Sequence, residues 1–322
     1  MSGLNAILTP LFKVDETDED HWHTDVILRT TDGLKFYVHT LLLSQGSPFF
    51  RSMFRLPQPQ TSTDNNPDEP PVIDVQEPSE TWNLILQLLY PVADPLFRTL
   101  EQVKPVLEAA QKYQFDSIIA NMQHVLTTPR FVEVYPLRVY ALSCCYQLND
   151  AARAAASYAL RLPLLGACVE ELDLIPASVY HRLLQYHMRC ADVAAAVAEF
   201  RVHDGVFVKE MAWLERRDYV FFGGRHPCTC AASRTTQVNR GPGYPLAPRV
   251  YWKELMDRTA AALRDRPCSQ TVQDASIIEP AITIATRCES CRPRAYRDLK
   301  EFIDIMAREV DKEVSKVEFT LK

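Results

Sequence analysis

Long apolar segments are missing from this chain of 322 residues. No stretch approaches the roughly 20 consecutive apolar residues that span a bilayer as a helix. Residues 1–20 also lack the basic start and the apolar core of a secretory signal peptide. We therefore expect no membrane association and a cytoplasmic or nuclear location.

Glycine is scarce, with nine residues in the whole chain, and the glycine-rich motifs of common enzymes are missing. The sequence has no phosphate-binding loop followed by Lys and Ser or Thr, no dinucleotide-binding fingerprint, no Gly-x-Ser-x-Gly and no His-Glu-x-x-His. These absences favour a protein that is not an enzyme. A Cys-His dyad stays open, because its two members meet only in the folded chain.

An excess of positive charge is also missing. The formal net charge is -6 at pH 7, and the isoelectric point is about 5.8. A general nucleic-acid-binding surface needs clustered Lys and Arg to displace counterions from the phosphates. The basic stretch at residues 287–297 is more simply a solvated helix face, so direct nucleic-acid binding is not expected.

The chain does contain a compact pattern of strand and turn signals at residues 25–38. An apolar run at 26–28 precedes a turn signal at 31–33, where Gly33 accepts a positive φ without a Cβ clash. A second β-like run follows at 34–38. The pattern predicts a β-hairpin.

Helical spacing begins after the hairpin and predicts two short helices that pack on it. Ser47 and Pro48 stand where the N-cap and the first residue of the second helix are expected. The apolar residues at helical spacing are Leu41, Leu42, Leu43, Phe49, Phe50, Met53 and Phe54. The last four exceed what one short helix can bury, so we expect some to be core and others to form an interaction surface.

In order and spacing, these residues resemble the BTB/POZ domain. The shared features are an Asp-Val start at 25–26, a hairpin that ends in Val-His at 38–39, the leucines after it, Ser-Pro-Phe-Phe at 47–50 and Met-Phe at 53–54. The resemblance extends through residues 73–75 to about Thr127. It implies a protein–protein interaction module that forms homodimers, or docks to a cullin-type ubiquitin-ligase scaffold or to another partner.

Two features depart from the usual BTB/POZ pattern. The basic residue that often follows the family's His is here Thr40. The segment 90–95 replaces the Gly-containing turn that is expected after the third helix. His39 itself is expected to be a structural residue between hairpin and helix.

The other elements of the first domain are predicted from composition, caps and periodicity. Residues 58–71 are polar and Pro-rich, which indicates a loop. Residues 72–75 then predict a strand, and residues 79–90 predict a helix with Ser79 as its N-cap. Two more helices are predicted at 100–112 and 115–126.

Composition divides the chain into three predicted regions. A BTB/POZ-like domain at 20–128 is followed by a helical extension at 129–205 and by a C-terminal region at 206–322. The predicted fold class is α+β: short strands with surrounding helices, then a mainly helical extension and a small region with paired cysteines.

Helical periodicity continues into both later regions. The extension predicts several short helices, at 137–146, 151–160 and 179–188, because prolines punctuate it. Near the C-terminus, an amphipathic helix is predicted over 296–317, and we expect it to dock on the cysteine-containing region. Its apolar stripe comprises Leu299, Phe302, Met306, Val310, Val314 and Val317.

Two close cysteine pairs form the candidate metal site. Cys228 and Cys230 follow a Gly-Gly turn, and Cys288 and Cys291 lie much later in the chain. Zinc favours such soft thiolates in a tetrahedron, and paired cysteines in a reducing compartment indicate metal or redox chemistry more often than disulfides. We expect a structural zinc ion, with His226 as the reserve ligand.

Two alternatives stay open for these pairs, namely reduced thiols without a ligand and redox or disulfide use. The cysteine pairs around a helix that contains Trp252 resemble those of fungal BTB proteins, and Cys268 is a weaker reserve ligand. The remaining cysteines lie in apolar helical contexts, where a thiol behaves as a small hydrophobe. They are Cys144, Cys145, Cys168 and Cys190.

Three functions follow from these patterns. The first, implied by the BTB/POZ resemblance, is a non-catalytic adaptor that associates with itself or recruits substrates to a cullin-type ubiquitin ligase. The second is a transcription or chromatin regulator assembled through the same domain. The third is a metal-dependent enzyme, which four cysteine ligands argue against because they close the zinc coordination.

Overall fold

The structure is a computed structural model that describes residues 24–56, 70–163, 165–166, 168–203, 206–211, 213–214, 218–222, 230, 236–239 and 247–321. Contacts divide the chain into two compact units, Met1–Ala154 and Ala155–Lys322. The division into regions 20–128, 129–205 and 206–322 stays a prediction. The predicted loop at 58–71 lies almost entirely outside the described residues.

A three-stranded sheet lies in the first unit, with the strand order β2-β1-β3. The strands are β1 (Val26–Arg29), β2 (Lys35–Val38) and β3 (Val72–Asp74). Strands β1 and β2 are antiparallel, whereas β1 and β3 are parallel. Gly33 has a φ of +82° at the turn between β1 and β2, which glycine adopts without steric cost. The predicted hairpin is confirmed.

Helices surround this sheet, and the α+β class is confirmed. The helices that lie wholly in the first unit are α1 (Thr40–Gly46), α2 (Pro48–Arg55), α3 (Ser79–Leu89), α4 (Leu100–Lys112), α5 (Asp116–Leu126), α6 (Pro129–Val132) and α7 (Pro136–Cys145). Helix α8 (Asn149–Ala159) begins in the first unit and continues past its boundary.

Ser47 is the N-cap of α2, as its sequence context predicts. Its Oγ accepts a hydrogen bond from the Phe50 N–H at 3.0 Å, and Pro48 is the first helical residue. The same hydroxyl donates to the carbonyl oxygen of Tyr113 at 2.5 Å. Because Ser47 is fully buried, these two bonds fix the start of α2 against the end of α4.

The core of the first unit contains an aromatic cluster around Phe50. Its ring centroid lies 5.3 Å from that of Tyr113, 5.8 Å from that of Phe115 and 6.1 Å from that of Trp82. Only 1% of Phe50 is exposed. Offset and edge-to-face contacts of this kind add to the free energy of burying the rings.

The predicted N-cap of α3 is wrong. Helix α3 begins at Ser79 itself, and Pro78 occupies the cap position without a side-chain hydrogen bond. Asp32, in the turn of the hairpin, accepts the Ser79 N–H at 3.1 Å and the Ser79 hydroxyl at 2.5 Å. The helix is therefore capped across space by a residue 47 positions earlier in the chain.

The second unit combines long helices with a small sheet. Its longest helices are α9 (Ala177–Ala198), which is longer than predicted, and α13 (Arg292–Val314). Between them in the chain lie α10 (Val250–Asp265), α11 (Ser269–Val272) and α12 (Ala275–Arg287). A 3-10 helix at Glu170–Leu174 precedes α9.

The sheet of the second unit is not predicted by the sequence patterns. It consists of β4 (Arg201–His203), β5 (Val206–Glu210) and β6 (Thr236–Asn239), in that order. Strand β4 pairs antiparallel with β5, and β5 pairs parallel with β6. These strands have only three to five residues each, so their alternation is too short to predict a sheet.

The amphipathic character of α13 is confirmed, but the helix begins earlier than predicted and ends at Val314, so Val317 lies outside it. Leu299, Phe302, Met306 and Val310 are buried in the core of the second unit, and Val314 packs against it. The Phe302 ring contacts Trp252 of α10, with centroids 5.6 Å apart. The helix thus joins the core through its apolar stripe.

Removing the Phe50 ring should open a cavity in the first unit. We expect Phe50→Ala to lower the free energy of unfolding by about 3 to 5 kcal/mol, measured by urea denaturation. Phe49→Ala is the matched control, because the Phe49 side chain is 40% exposed. Equal losses for the two variants would contradict the assignment of Phe50 to the core.

The cap between Asp32 and Ser79 should depend on pH. Hydrogen bonds from Ser79, with a further one from Thr30, hold the pKa of Asp32 below its usual value. The stabilisation is therefore present above the unfolded pKa of about 3.9 and is lost as pH falls through the lowered folded pKa. At pH 7 we expect Asp32→Ala to cost about 1 kcal/mol, as for other N-caps.

Melting temperatures measured between pH 7 and pH 3 test this prediction. The gap between the native chain and Asp32→Ala should shrink as the pH falls. Asp94→Ala, which removes an exposed carboxylate outside any helix, should show little gap at any pH. A gap for Asp32→Ala that stays constant down to pH 3 would rule out the proposed linkage.

Candidate interaction surface and cysteine cluster

Helix α2 carries the four residues predicted to form an interaction surface, and the structure separates them. Phe50 lies in the core and therefore cannot contact a partner without opening the domain. Phe49 is 40% exposed, while Met53 and Phe54 are partly buried. The Phe54 ring stacks on Phe50 with centroids 6.0 Å apart, so its inner side belongs to the core.

An apolar stripe remains on the outer side of α2. We call Phe49, Met53 and Leu56 the α2 stripe, because intervals of four and three residues place them along one side of a helix. Leu56 follows the helix directly and is 65% exposed. The sequence patterns miss Leu56, although its spacing from Phe49 already indicates the same face.

Three cysteines converge in the second unit. The Sγ atoms of Cys230, Cys288 and Cys291 all lie within 4.8 Å of one another. Cys288 and Cys291 are buried, and Cys230 is half-buried. The other two predicted ligands, Cys228 and His226, lie outside the described residues.

The junction of two helices positions Cys288 and Cys291. Cys288 is the C-cap of α12, and Cys291 is the N-cap of α13. The Cys288 carbonyl accepts the N–H groups of Cys291 at 3.1 Å and Arg292 at 2.8 Å. This tight turn brings the two thiols together at the start of α13.

Separate contacts hold Cys230 beside this turn. Arg249, the buried N-cap residue of α10, donates from Nη1 to the Cys230 carbonyl at 3.0 Å. The Arg249 N–H also donates to the Phe221 carbonyl at 2.8 Å. The Sγ atoms of Cys230 and Cys291 lie 3.9 Å apart, far beyond the 2.05 Å or so of a disulfide.

A buried carboxylate anchors the segment that precedes this cluster. Asp298 of α13 is fully buried and accepts the Val220 N–H at 2.9 Å. Arg294 pairs with Asp298 at 3.4 Å and with Asp218 at 2.9 Å. Part of the basic stretch at 287–297 is thus occupied by ion pairs within the unit, and Asp298 is an anchor that the sequence patterns miss.

The other described cysteines do not join the cluster. Cys190 is buried in α9, and burial raises the pKa of its thiol to about 11, which makes it unreactive. Burial also raises the pKa of Cys145. Cys168 is exposed and lies outside any helix, so its predicted apolar helical context is wrong. Cys268 is the N-cap of α11, with Sγ 3.3 Å from Thr271 Oγ1.

Comparison with known families identifies the first unit. The model of the BTB/POZ domain matches residues 14–129. The chain contains a BTB/POZ domain. Among solved structures, the BTB domain of zebrafish PATZ1 is similar at 22% identity, covering 32% of this chain and 75% of that chain with a TM-score of 0.25. No curated protein matches, so the assignment rests on the family model.

Two positions where this chain departs from the usual BTB/POZ pattern, Thr40 and Tyr90, form hydrogen bonds within the domain. The Asp25 carboxylate accepts the Thr40 N–H at 2.6 Å and the Thr40 hydroxyl at 2.5 Å. The Tyr90 oxygen accepts the His39 N–H at 3.0 Å and lies 3.0 Å from His39 Nδ1. These bonds tie the start of α1 to the strand and helix beside it, and His39 has the structural role expected for it.

Outside the BTB/POZ domain, a cleft of about 450 Å³ opens in the second unit. Its described lining includes Phe200 and Trp213, with Glu309 and Glu313. Both glutamates pair with lysines of the same helix region. Of the helices described, none has the length and apolar character to cross a bilayer.

Asp298 should be a main anchor of the second unit. We expect Asp298→Ala to cost roughly 3 kcal/mol, because it leaves the half-buried Val220 N–H without its acceptor and removes an ion pair. Asp298→Asn should cost less, since its amide oxygen still accepts that hydrogen bond. Asp304→Ala, an exposed carboxylate on the same helix, is the control. Equal stability of Asp298→Ala and this control in urea denaturation would contradict the anchor role.

Proposed function

We propose that this chain is a non-catalytic adaptor that binds protein partners through its BTB/POZ domain. The observation that carries the proposal is the family match at residues 14–129, because BTB/POZ domains are protein-interaction modules. The absence of enzyme motifs in the sequence supports a role in binding rather than in chemistry.

The α2 stripe is the proposed contact surface. Single exposed apolar side chains are ordinary on protein surfaces, but here Phe49 and Met53 lie on one side of α2 and Leu56 directly follows the helix. The helix is held rigidly by the buried Ser47 and Phe50. A rigid apolar stripe loses little conformational entropy on binding, which favours a specific contact.

Self-association is the first partner proposal, and a cullin-type ubiquitin-ligase scaffold is the second. Both classes of contact are implied by the BTB/POZ resemblance. In the second case the chain recruits substrates to the ligase. Neither version needs a catalytic residue in the chain.

Light scattering of the full-length protein tests self-association. We expect a mass of twice the 36.7 kDa chain. Leu56→Glu should weaken the association by about 2 kcal/mol or more, because it buries a charge in an apolar contact. Leu165→Glu is the matched control, since Leu165 is 77% exposed in the second unit. It should leave the mass unchanged.

A monomeric native chain would refute self-association, and a dimer that Leu56→Glu leaves intact would remove the α2 stripe from the contact.

The same two variants test the ligase version in a pull-down with a purified cullin. Binding should be lost with Leu56→Glu and kept with Leu165→Glu. No binding by the native chain would exclude the cullin scaffold as the partner.

A further inference from the structure

We propose that Cys230, Cys288 and Cys291 bind one structural zinc ion in the second unit. The proposal is independent of the adaptor function, because it concerns a different unit of the chain. It rests on the convergence of three sulfur atoms from two separate segments, which are 61 residues apart at Cys230 and Cys291.

The spacing of the sulfurs matches tetrahedral zinc. Zinc–sulfur bonds of about 2.3 Å at tetrahedral angles hold two ligand sulfurs about 3.8 Å apart. The Sγ atoms of Cys230 and Cys291 are 3.9 Å apart, and that of Cys288 lies within 4.8 Å of both. The three sulfurs therefore lie close enough together to serve as three corners of one tetrahedral site.

The chemistry of the donors favours zinc over other common ions. Thiolates are soft ligands that suit zinc, whereas magnesium and calcium require oxygen ligands. Buried thiolates need compensating positive charge. A divalent ion bound by the three sulfurs supplies that charge.

Burial assigns the ion a structural role. Cys288 is 6% exposed and Cys291 is 1% exposed, so a substrate has no access from their side. The ion would link Cys230, which lies between β5 and β6 in the sequence, to the junction of α12 and α13. The fourth ligand predicted from the sequence, Cys228, lies outside the described residues, and the three converging thiols carry the proposal.

Metal analysis of the full-length protein, purified under reducing conditions with zinc supplied, tests the site. We expect about one zinc ion per chain. Cys288→Ser and Cys291→Ser should each lower zinc affinity by roughly 100-fold or more, beyond the usual loss from a supporting contact. Cys268→Ser is the matched control, because Cys268 is a half-buried thiol of the same unit outside the cluster, and it should keep its zinc.

A second measurement on the native sequence guards against variants that fail to fold. Replacing zinc by Co²⁺ should produce thiolate-to-cobalt charge-transfer absorption and the strong visible bands of tetrahedral cobalt, with an intensity that corresponds to three or four thiolates. A chelator should lower the melting temperature of the native chain, and added zinc should restore it. Zinc far below one ion per chain, zinc retained by both cluster variants, or octahedral cobalt bands would each overturn the proposal.

Discussion

The buried hydroxyl of Ser47 fixes the part of the BTB/POZ domain on which its proposed binding role depends. It accepts the Phe50 N–H at the start of α2 and donates to the Tyr113 carbonyl, which lies 66 residues later. One oxygen thus sets both the position and the rotation of the helix. That rotation sends Phe50 into the core and leaves Phe49 partly exposed, so the surface available to a partner depends on how the core is closed.

Local sequence patterns predict local features of this domain well. Ser47 is a correct cap because its signal acts within one helical turn. The same reasoning fails at Ser79, since its capping group is Asp32, which belongs to another turn. Helical spacing also cannot separate Phe49 from Phe50. Both lie on an amphipathic helix of eight residues, and only the arrangement of the neighbouring aromatic rings decides which one is covered.

In the second unit, the sequence predicts a long-range contact but not the groups that hold it in place. Cysteine spacing correctly indicates that Cys230 lies near Cys288 and Cys291, although a long segment separates them. The groups that hold these segments are not predictable in the same way. A buried carboxylate such as Asp298 has the same sequence signature as a solvated one, and Arg249 reads as an ordinary surface residue until its contacts with the backbone are known.

The bond between Asp32 and Ser79 also has a kinetic consequence. Because 47 residues separate its partners, α3 gains its cap only after a large loop has closed. Loop-closure entropy rises slowly with length, by roughly 0.6 kcal/mol for each doubling. Insertions or deletions within residues 57–69 should therefore alter the rate of folding more than the stability of the folded domain.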